Sequence, residues 1–107
     1  MLRKSERTMD VYKKLGAEMR LLKNLGTTAA VEVSKVLSAK DTDKLLKALY
    51  TIDSVCSQTE DNMFSDHPEL GGEAVDIFYG NLHEEPRNDT DREVIELARK
   101  YVNELFR

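Results

Sequence analysis

Apolar residues in this chain recur at intervals of three and four, which is the spacing of one face of an α-helix. The positions that follow this spacing are Tyr12, Leu15, Met19 and Leu22; Ala30, Val33 and Leu37; Leu45, Leu49, Ile52 and Cys56; and Val94, Ala98, Tyr101 and Leu105. No alternating apolar and polar run flanks an Asn-Gly or Asp-Gly turn, so no β-hairpin is expected. The pattern predicts an all-α fold, a small helical bundle of four to five helices.

Start and stop signals place the helix boundaries. Gly26 predicts the end of the first helix, because glycine readily takes the left-handed conformation that closes a helix. Asp66 followed by Pro68 is a start signal, and Thr90 with Glu93 forms a capping box. The predicted helices therefore cover about 5–24, 27–38, 41–61, 66–80 and the stretch from 90 onward.

Length and cysteine content bound the organisation of the protein. A chain of 107 residues predicts a single helical domain over residues 1–107. One cysteine excludes an internal disulfide, and no apolar segment resembles a signal peptide or a membrane span. We therefore expect a cytoplasmic protein.

Charge is divided unevenly along the chain. Residues 1–50 carry eleven Lys or Arg and six Asp or Glu, whereas residues 51–107 carry five and fourteen. The two charged sets can neutralise each other within one chain, across a dimer or against a third molecule. The residues predicted to face water and contact a partner are the basic set Lys13, Lys14, Arg20 and Lys23 and the acidic set Glu69, Glu73 and Asp76.

Two acidic pairs, Glu73-x-x-Asp76 and Glu93-x-x-Glu96, supply the oxygen ligands that Mg²⁺ prefers. In this respect the chain resembles the all-α nucleotide pyrophosphohydrolases of the MazG and dimeric dUTPase kind, although their usual order is Glu-x-x-Glu first and Glu-x-x-Asp later. The resemblance implies a Mg-dependent enzyme with these four residues as metal ligands. The alternative interpretation is that the carboxylates complement the positive ends of helix dipoles.

The two histidines and the single cysteine are the other residues that could bind a metal or act as a nucleophile. His67 and His83 have acidic neighbours, but neither has a second histidine at i+3 or i+4, so we interpret both as surface residues near helix ends. Cys56 falls on an apolar face, which predicts a buried thiol rather than a nucleophile.

A helix-turn-helix is possible if the second and third predicted helices are joined at Ser38–Thr42, and the basic first half would attract a DNA backbone. The third helix offers Lys40, Lys44 and Lys47 but no cluster of Arg, Asn or Gln that reads base edges. The net charge of −4 also opposes non-specific binding to nucleic acid.

Wide apolar stripes, segregated charge and the lack of a prominent catalytic group favour a non-enzymatic interaction or regulatory module. It would bind another protein or pair with itself as a helical-bundle homodimer, with no cofactor and no membrane. The two heptad steps of the first helix suit antiparallel pairing. The Mg-dependent enzyme and the DNA-binding regulator are the alternatives.

Overall fold

The computed structural model describes residues 1–80 and 85–105, and all regular structure in these ranges is helical. The predicted all-α class is therefore confirmed. No helix among the described residues has the length and apolar character needed to cross a membrane. The elements in chain order are a 3₁₀ helix at Lys4–Glu6, α1 at Met9–Val33, α2 at Ala39–Asp66, a second 3₁₀ helix at Gly72–Ile77 and α3 at Asp89–Leu105.

One continuous helix, α1, replaces the first two predicted helices. Gly26 lies inside α1, where the missing Cβ lets α2 approach, because a Cβ at this position would collide with the end of the Leu49 side chain. The hydroxyl of Thr27 donates to the carbonyl of Lys23 (2.8 Å) instead of capping a new helix. The predicted stop at Gly26 is wrong, and so is the separate helix predicted over 27–38.

The second helix, α2, is also longer than predicted. Ser38 caps it by accepting a hydrogen bond from the backbone N–H of Asp41 (3.2 Å), and the helix continues to Asp66. The start signal at Asp66 and Pro68 therefore belongs to the end of α2. The predicted fourth helix is wrong: only Gly72–Ile77 is helical in this region, as a 3₁₀ helix, since paired glycines disfavour an α-helix.

The last helix, α3, forms as predicted but begins one residue earlier. Asn88 accepts a hydrogen bond from the backbone N–H of Asp91 (2.8 Å), so Asn88 is the capping residue and Asp89 is the first helical residue. The predicted capping box of Thr90 and Glu93 is wrong because Asn88 already satisfies the exposed N–H groups at this end.

The hydrophobic core lies at one end of an elongated molecule that measures 47 × 27 × 25 Å. Gly16 allows the close packing there, because a Cβ on it would meet the backbone carbonyl of Ile77. Over residues 21–55, by contrast, only Ala30 and Thr42 are buried. The core side chains are Tyr12, Ala17, Cys56, Met63, Ala74, Ile77, Phe78, Val94 and Ala98.

Candidate interaction surface

Cations of α1 are paired with carboxylates from the acidic half of the same chain. The pairs are Lys13 with Glu93 (2.7 Å), Arg20 with Asp91 (2.8 Å) and Lys23 with Asp53 (3.6 Å). The sequence left open whether the charged sets neutralise each other within one chain, across a dimer or against a third molecule. For these three pairs, neutralisation occurs within one chain. Much of the charge asymmetry therefore serves to hold the fold together.

Arg20 is completely buried, with a side chain that is 0% exposed. The prediction that it faces water is wrong. Its Nη2 donates to the carboxylate of Asp91, its Nη1 to the carbonyl of Asp76 (3.0 Å) and its Nε to the carbonyl of Gly80 (3.3 Å). The planar guanidinium thus joins α1, the segment after the second 3₁₀ helix and α3. A residue in this position has no surface to offer a partner.

Asp91 keeps its charge inside the core because hydrogen-bond donors surround it. Burial by itself raises the pKa of Asp91, but the backbone N–H of Arg87 (2.9 Å) and the Arg20 guanidinium outweigh burial, so this pKa lies below its usual value. Gly80, with φ of 145°, passes close to both arginines, and a Cβ there would lie 2.5 Å from Nη2 of Arg20. The geometry of this cluster therefore requires glycine at position 80.

Cys56 is buried, as its place on the apolar face predicted. Its Sγ lies 3.5 Å from Nζ of Lys23, which also donates to the carbonyl of Phe78 (3.2 Å) and sits 4.2 Å from the ring centroid of Tyr79. Burial raises the pKa of the Cys56 thiol, and the nearby ammonium opposes that rise only in part. A protonated and inaccessible thiol is a poor nucleophile. Lys23, predicted to face water, instead covers this part of the core.

The acidic set does not share one helix face. The spacing of Glu69, Glu73 and Asp76 (i, i+4, i+7) would place them on one face of a continuous α-helix. Glu69 instead lies in the turn after α2, whereas Glu73 and Asp76 lie in the second 3₁₀ helix. Asp76 forms an ion pair with Arg87 and accepts a hydrogen bond from the Asn88 amide (2.6 Å). Its carboxylate therefore fixes the start of α3.

The four proposed magnesium ligands, Glu73, Asp76, Glu93 and Glu96, have separate environments. Glu73 accepts a hydrogen bond from Thr90 (3.4 Å), Glu93 forms the ion pair described above, and Glu96 lies on the exposed side of α3. Within residues 1–80 and 85–105, no group of three or more His, Cys, Asp or Glu side chains is placed to hold a metal ion. The geometry that the enzyme hypothesis needs is not found in these ranges.

His67 takes part in packing at the end of α2. Its Nε2 donates to the carbonyl of Arg7 (2.8 Å), and its ring stands edge-on to Tyr12 with 5.9 Å between centroids. Tyr12 in turn donates to the carboxylate of Asp66 (2.5 Å), and burial together with Asp66 raises the pKa of Tyr12 to about 12. These contacts tie the N-terminal segment to α2. His83 lies outside the described residues.

Beyond the core, residues 22–55 form an arm made of the last part of α1 and the first part of α2. Lys13 and Arg20, which pair with Glu93 and Asp91 of α3, both precede the arm. A contiguous exposed apolar surface commonly marks an interaction site. Among the described residues, most of the large apolar side chains that are exposed belong to the arm: Leu22, Leu25, Val31, Val36, Leu37, Leu46, Tyr50 and Val55.

Helix geometry places part of these side chains on one side of the hairpin. At about 100° per residue, Leu15, Leu22 and Leu25 fall in one sector of α1, on the side away from the second 3₁₀ helix. On α2, Asp53 pairs with Lys23 and Ser57 hydrogen-bonds to Tyr79, so both face the segment that follows the second 3₁₀ helix. Val55 is two residues, or about 200°, from each of them, so it lies on the other side of α2, which is the side of the three leucines.

We name this side the leucine face, and it consists of Leu15, Leu22, Leu25 and Val55, with the smaller Ala29 and Ala48 between them. Leu22, Leu25 and Val55 are 46%, 68% and 54% exposed. Leu46 and Tyr50 are also exposed but lie on the opposite side of α2, since five residues separate Tyr50 from Val55, which is about 140° around the helix.

Of the apolar stripe predicted on the first helix, Tyr12 is buried but Leu15 and Leu22 are exposed. The buried face of α1 is instead made by Tyr12, Gly16, Ala17 and Arg20. Small residues at 16 and 17 are a sequence signal for close packing, whereas nothing in a single sequence separates a buried arginine from an exposed one.

Comparison of the chain with protein-family models, with curated protein sequences and with solved structures finds no match. The case for a function therefore rests on the residues of the chain itself.

Proposed function

We propose that this protein is a non-enzymatic interaction module that binds a protein partner through its leucine face. The observation that carries the proposal is the exposure of Leu22, Leu25 and Val55 side by side on an arm with almost no core of its own. Full burial of an exposed leucine contributes about 1.5–3 kcal/mol, so covering these half-exposed side chains contributes roughly 1 kcal/mol each.

The surrounding charges support a role in steering rather than in affinity. Of the basic set, Lys14 is exposed and lies at the edge of the leucine face, where a charge promotes encounter and register. Glu69, Glu73 and Asp76 belong to the segment that packs on the other side of the hairpin, and the proposal does not need them. A cytoplasmic location fits the free and buried Cys56, which requires no oxidising compartment.

A photoreactive amino acid at position 25, introduced in living cells of the source organism, tests this proposal. Leu25 is 68% exposed on the leucine face, and Tyr50, 74% exposed on the opposite side, is the matched control position. We expect discrete protein adducts from position 25 and few from position 50. Equal adduct patterns from both positions, or no adduct from position 25, would overturn the proposal.

A further inference from the structure

We infer that the occupant of the leucine face is a second copy of this chain, with the two α1 helices antiparallel about a two-fold axis. This inference rests on the proposed function, of which it names the partner. It is carried by the spacing of the apolar residues along α1, by the charges at their edge and by the size of the face.

The apolar residues of two antiparallel α1 helices interdigitate when the two-fold axis lies at the level of Lys23. Leu22 and Leu25 flank that level, so in an antiparallel pair the leucines of the two copies interdigitate. At the ends, Leu15 of one copy comes level with the gap between Ala29 and Val33 of the other. The large side chain at one end of the sector thus meets small or medium ones at the other end, as interdigitating helices require.

Two opposite charges, Lys14 and Glu32, lie at the same edge of this sector. They are 18 residues apart, which is five full turns, so they share one direction around α1. In a two-fold antiparallel pair, residues on the same edge of the two helices face each other. Because Lys14 and Glu32 are equally far from the level of Lys23, each Lys14 meets Glu32 of the other copy, and the pair forms twice.

Both side chains are available for this pairing. Lys14 is exposed, with its Nζ 5.7 Å from the ring centroid of Tyr101, and Glu32 makes an exposed ion pair with Lys35 (3.2 Å). Exposed ion pairs contribute little, about 0–1 kcal/mol, so Glu32 can exchange its partner at small cost.

A parallel arrangement of the same two faces is disfavoured by charge. It would leave Lys14 and Glu32 of the two copies about 27 Å apart along the helices, so neither charge would meet its opposite. It would also set Glu18, which interrupts the leucine sector, against its own copy, whereas the antiparallel pair places Glu18 level with Thr28. A polar residue in a helical seam selects the register in this way.

The size of the face fits a small dimer interface. The stretch of α1 from Lys14 to Glu32 is about 27 Å long, and two packed helices are about 20 Å wide, which gives a footprint of roughly 540 Å² per copy. Standard interfaces bury about 800 Å² per partner, and weaker ones bury less. The antiparallel arrangement also lays the arm of each copy beside the core end of the other.

Sedimentation equilibrium at micromolar concentration tests the inference. We expect twice the monomer mass of 12.2 kDa for the wild type and for Leu46→Lys, and the monomer mass for Leu22→Lys. Leu46 is a matched control because it is 40% exposed on the opposite side of the hairpin. A monomeric wild type, or a dimer that Leu22→Lys leaves intact, would overturn the inference.

Charge exchange tests the register. Lys14→Glu alone and Glu32→Lys alone are each expected to weaken the dimer about tenfold, and the two substitutions together are expected to restore it. Thermal melts of the three variants at low concentration check that each folds. A double variant no tighter than the single variants would overturn the antiparallel register.

The two proposals fail in different ways. A monomeric wild type with discrete foreign adducts at position 25 would end the self-pairing and leave the interaction module standing. A monomeric wild type with no adduct at that position would end both.

Discussion

Removing Arg20 tests whether the buried ion pair holds the fold together. Arg20→Met keeps an unbranched apolar stem but leaves the carboxylate of Asp91, which is 2% exposed, without its guanidinium. Breaking a buried pair from one side costs about 3–5 kcal/mol. The carbonyls of Asp76 and Gly80 lose their donors as well. Since small domains have only about 5–15 kcal/mol of stability, the variant should be barely folded.

Thermal unfolding followed by circular dichroism measures this loss. An unfolding entropy of about 2.1 cal/mol/K per residue, over 107 residues, converts 3–5 kcal/mol into a fall in Tm of about 13–22 °C. Lys40→Met, on the exposed first turn of α2, is the control and should change the stability by less than about 0.5 kcal/mol. An Arg20→Met variant within 1 kcal/mol of the wild type would refute the reasoning.

A double variant separates the charge from the hydrogen bonds. Arg20→Met with Asp91→Leu removes both charges, and apolar replacement of a buried ion pair is often neutral. In this protein the backbone groups of Asp76, Gly80 and Arg87 would remain without partners, so the double variant should recover only part of the lost stability. Full recovery would contradict the role given to those backbone groups.

The depressed pKa of Asp91 gives the same cluster a pH signature. Because the folded-state pKa is below the unfolded value of about 3.9, the stabilisation by Asp91 is present above that pH and is lost as the pH falls through the folded pKa. The difference in unfolding free energy between the wild type and Asp91→Asn should therefore shrink below about pH 4. A difference that stays constant down to pH 2 would contradict this.

Three further predictions concern single positions. The pKa of Tyr12 is raised to about 12 in the folded state, from about 10 in an unfolded chain. The protonated phenol therefore stabilises the fold by about 2–3 kcal/mol. This stabilisation is complete below pH 10 and is lost as the pH rises toward 12. Denaturation should show this loss in the wild type but not in Tyr12→Phe, and equal losses would argue against the bond to Asp66. Gly16→Ala should destabilise the fold by about 1–3 kcal/mol because the new Cβ meets the backbone of Ile77. Gly26→Ala should cost less, because its Cβ meets only the flexible end of Leu49 and alanine has the higher helix propensity. Equal melting temperatures of the two variants would refute this contrast. Cys56 should react with a thiol reagent only as fast as the protein unfolds, and immediate labelling would show that it is accessible.

The helical class was predictable from the sequence because apolar spacing reports secondary structure directly. The helix boundaries were less predictable, since a glycine such as Gly26 can have either of two opposite roles in a helix. Glycine ends a helix when the chain turns, and it permits close packing when a second helix lies against it. Only the position of Leu49 across the hairpin decides between them.

The burial of Arg20 was not predictable for a different reason. Its partners, Asp76, Gly80 and Asp91, are 56 to 71 residues away along the chain, and local pattern carries no information about such contacts. The exposure of Leu15, Leu22 and Leu25 was not predictable for the same reason. A stripe with the spacing of a core face gives no indication of whether its own chain or another covers it.

Thiol cross-linking tests the antiparallel pairing of the leucine faces most directly, because Cys56 is buried and leaves introduced cysteines as the reactive groups. A Lys14→Cys variant and a Glu32→Cys variant are treated with a short bifunctional reagent, separately and after mixing. We expect a cross-linked dimer only in the mixture, since each position faces the other one in the second copy. Cross-linking of either variant alone, with none added by mixing, would contradict it.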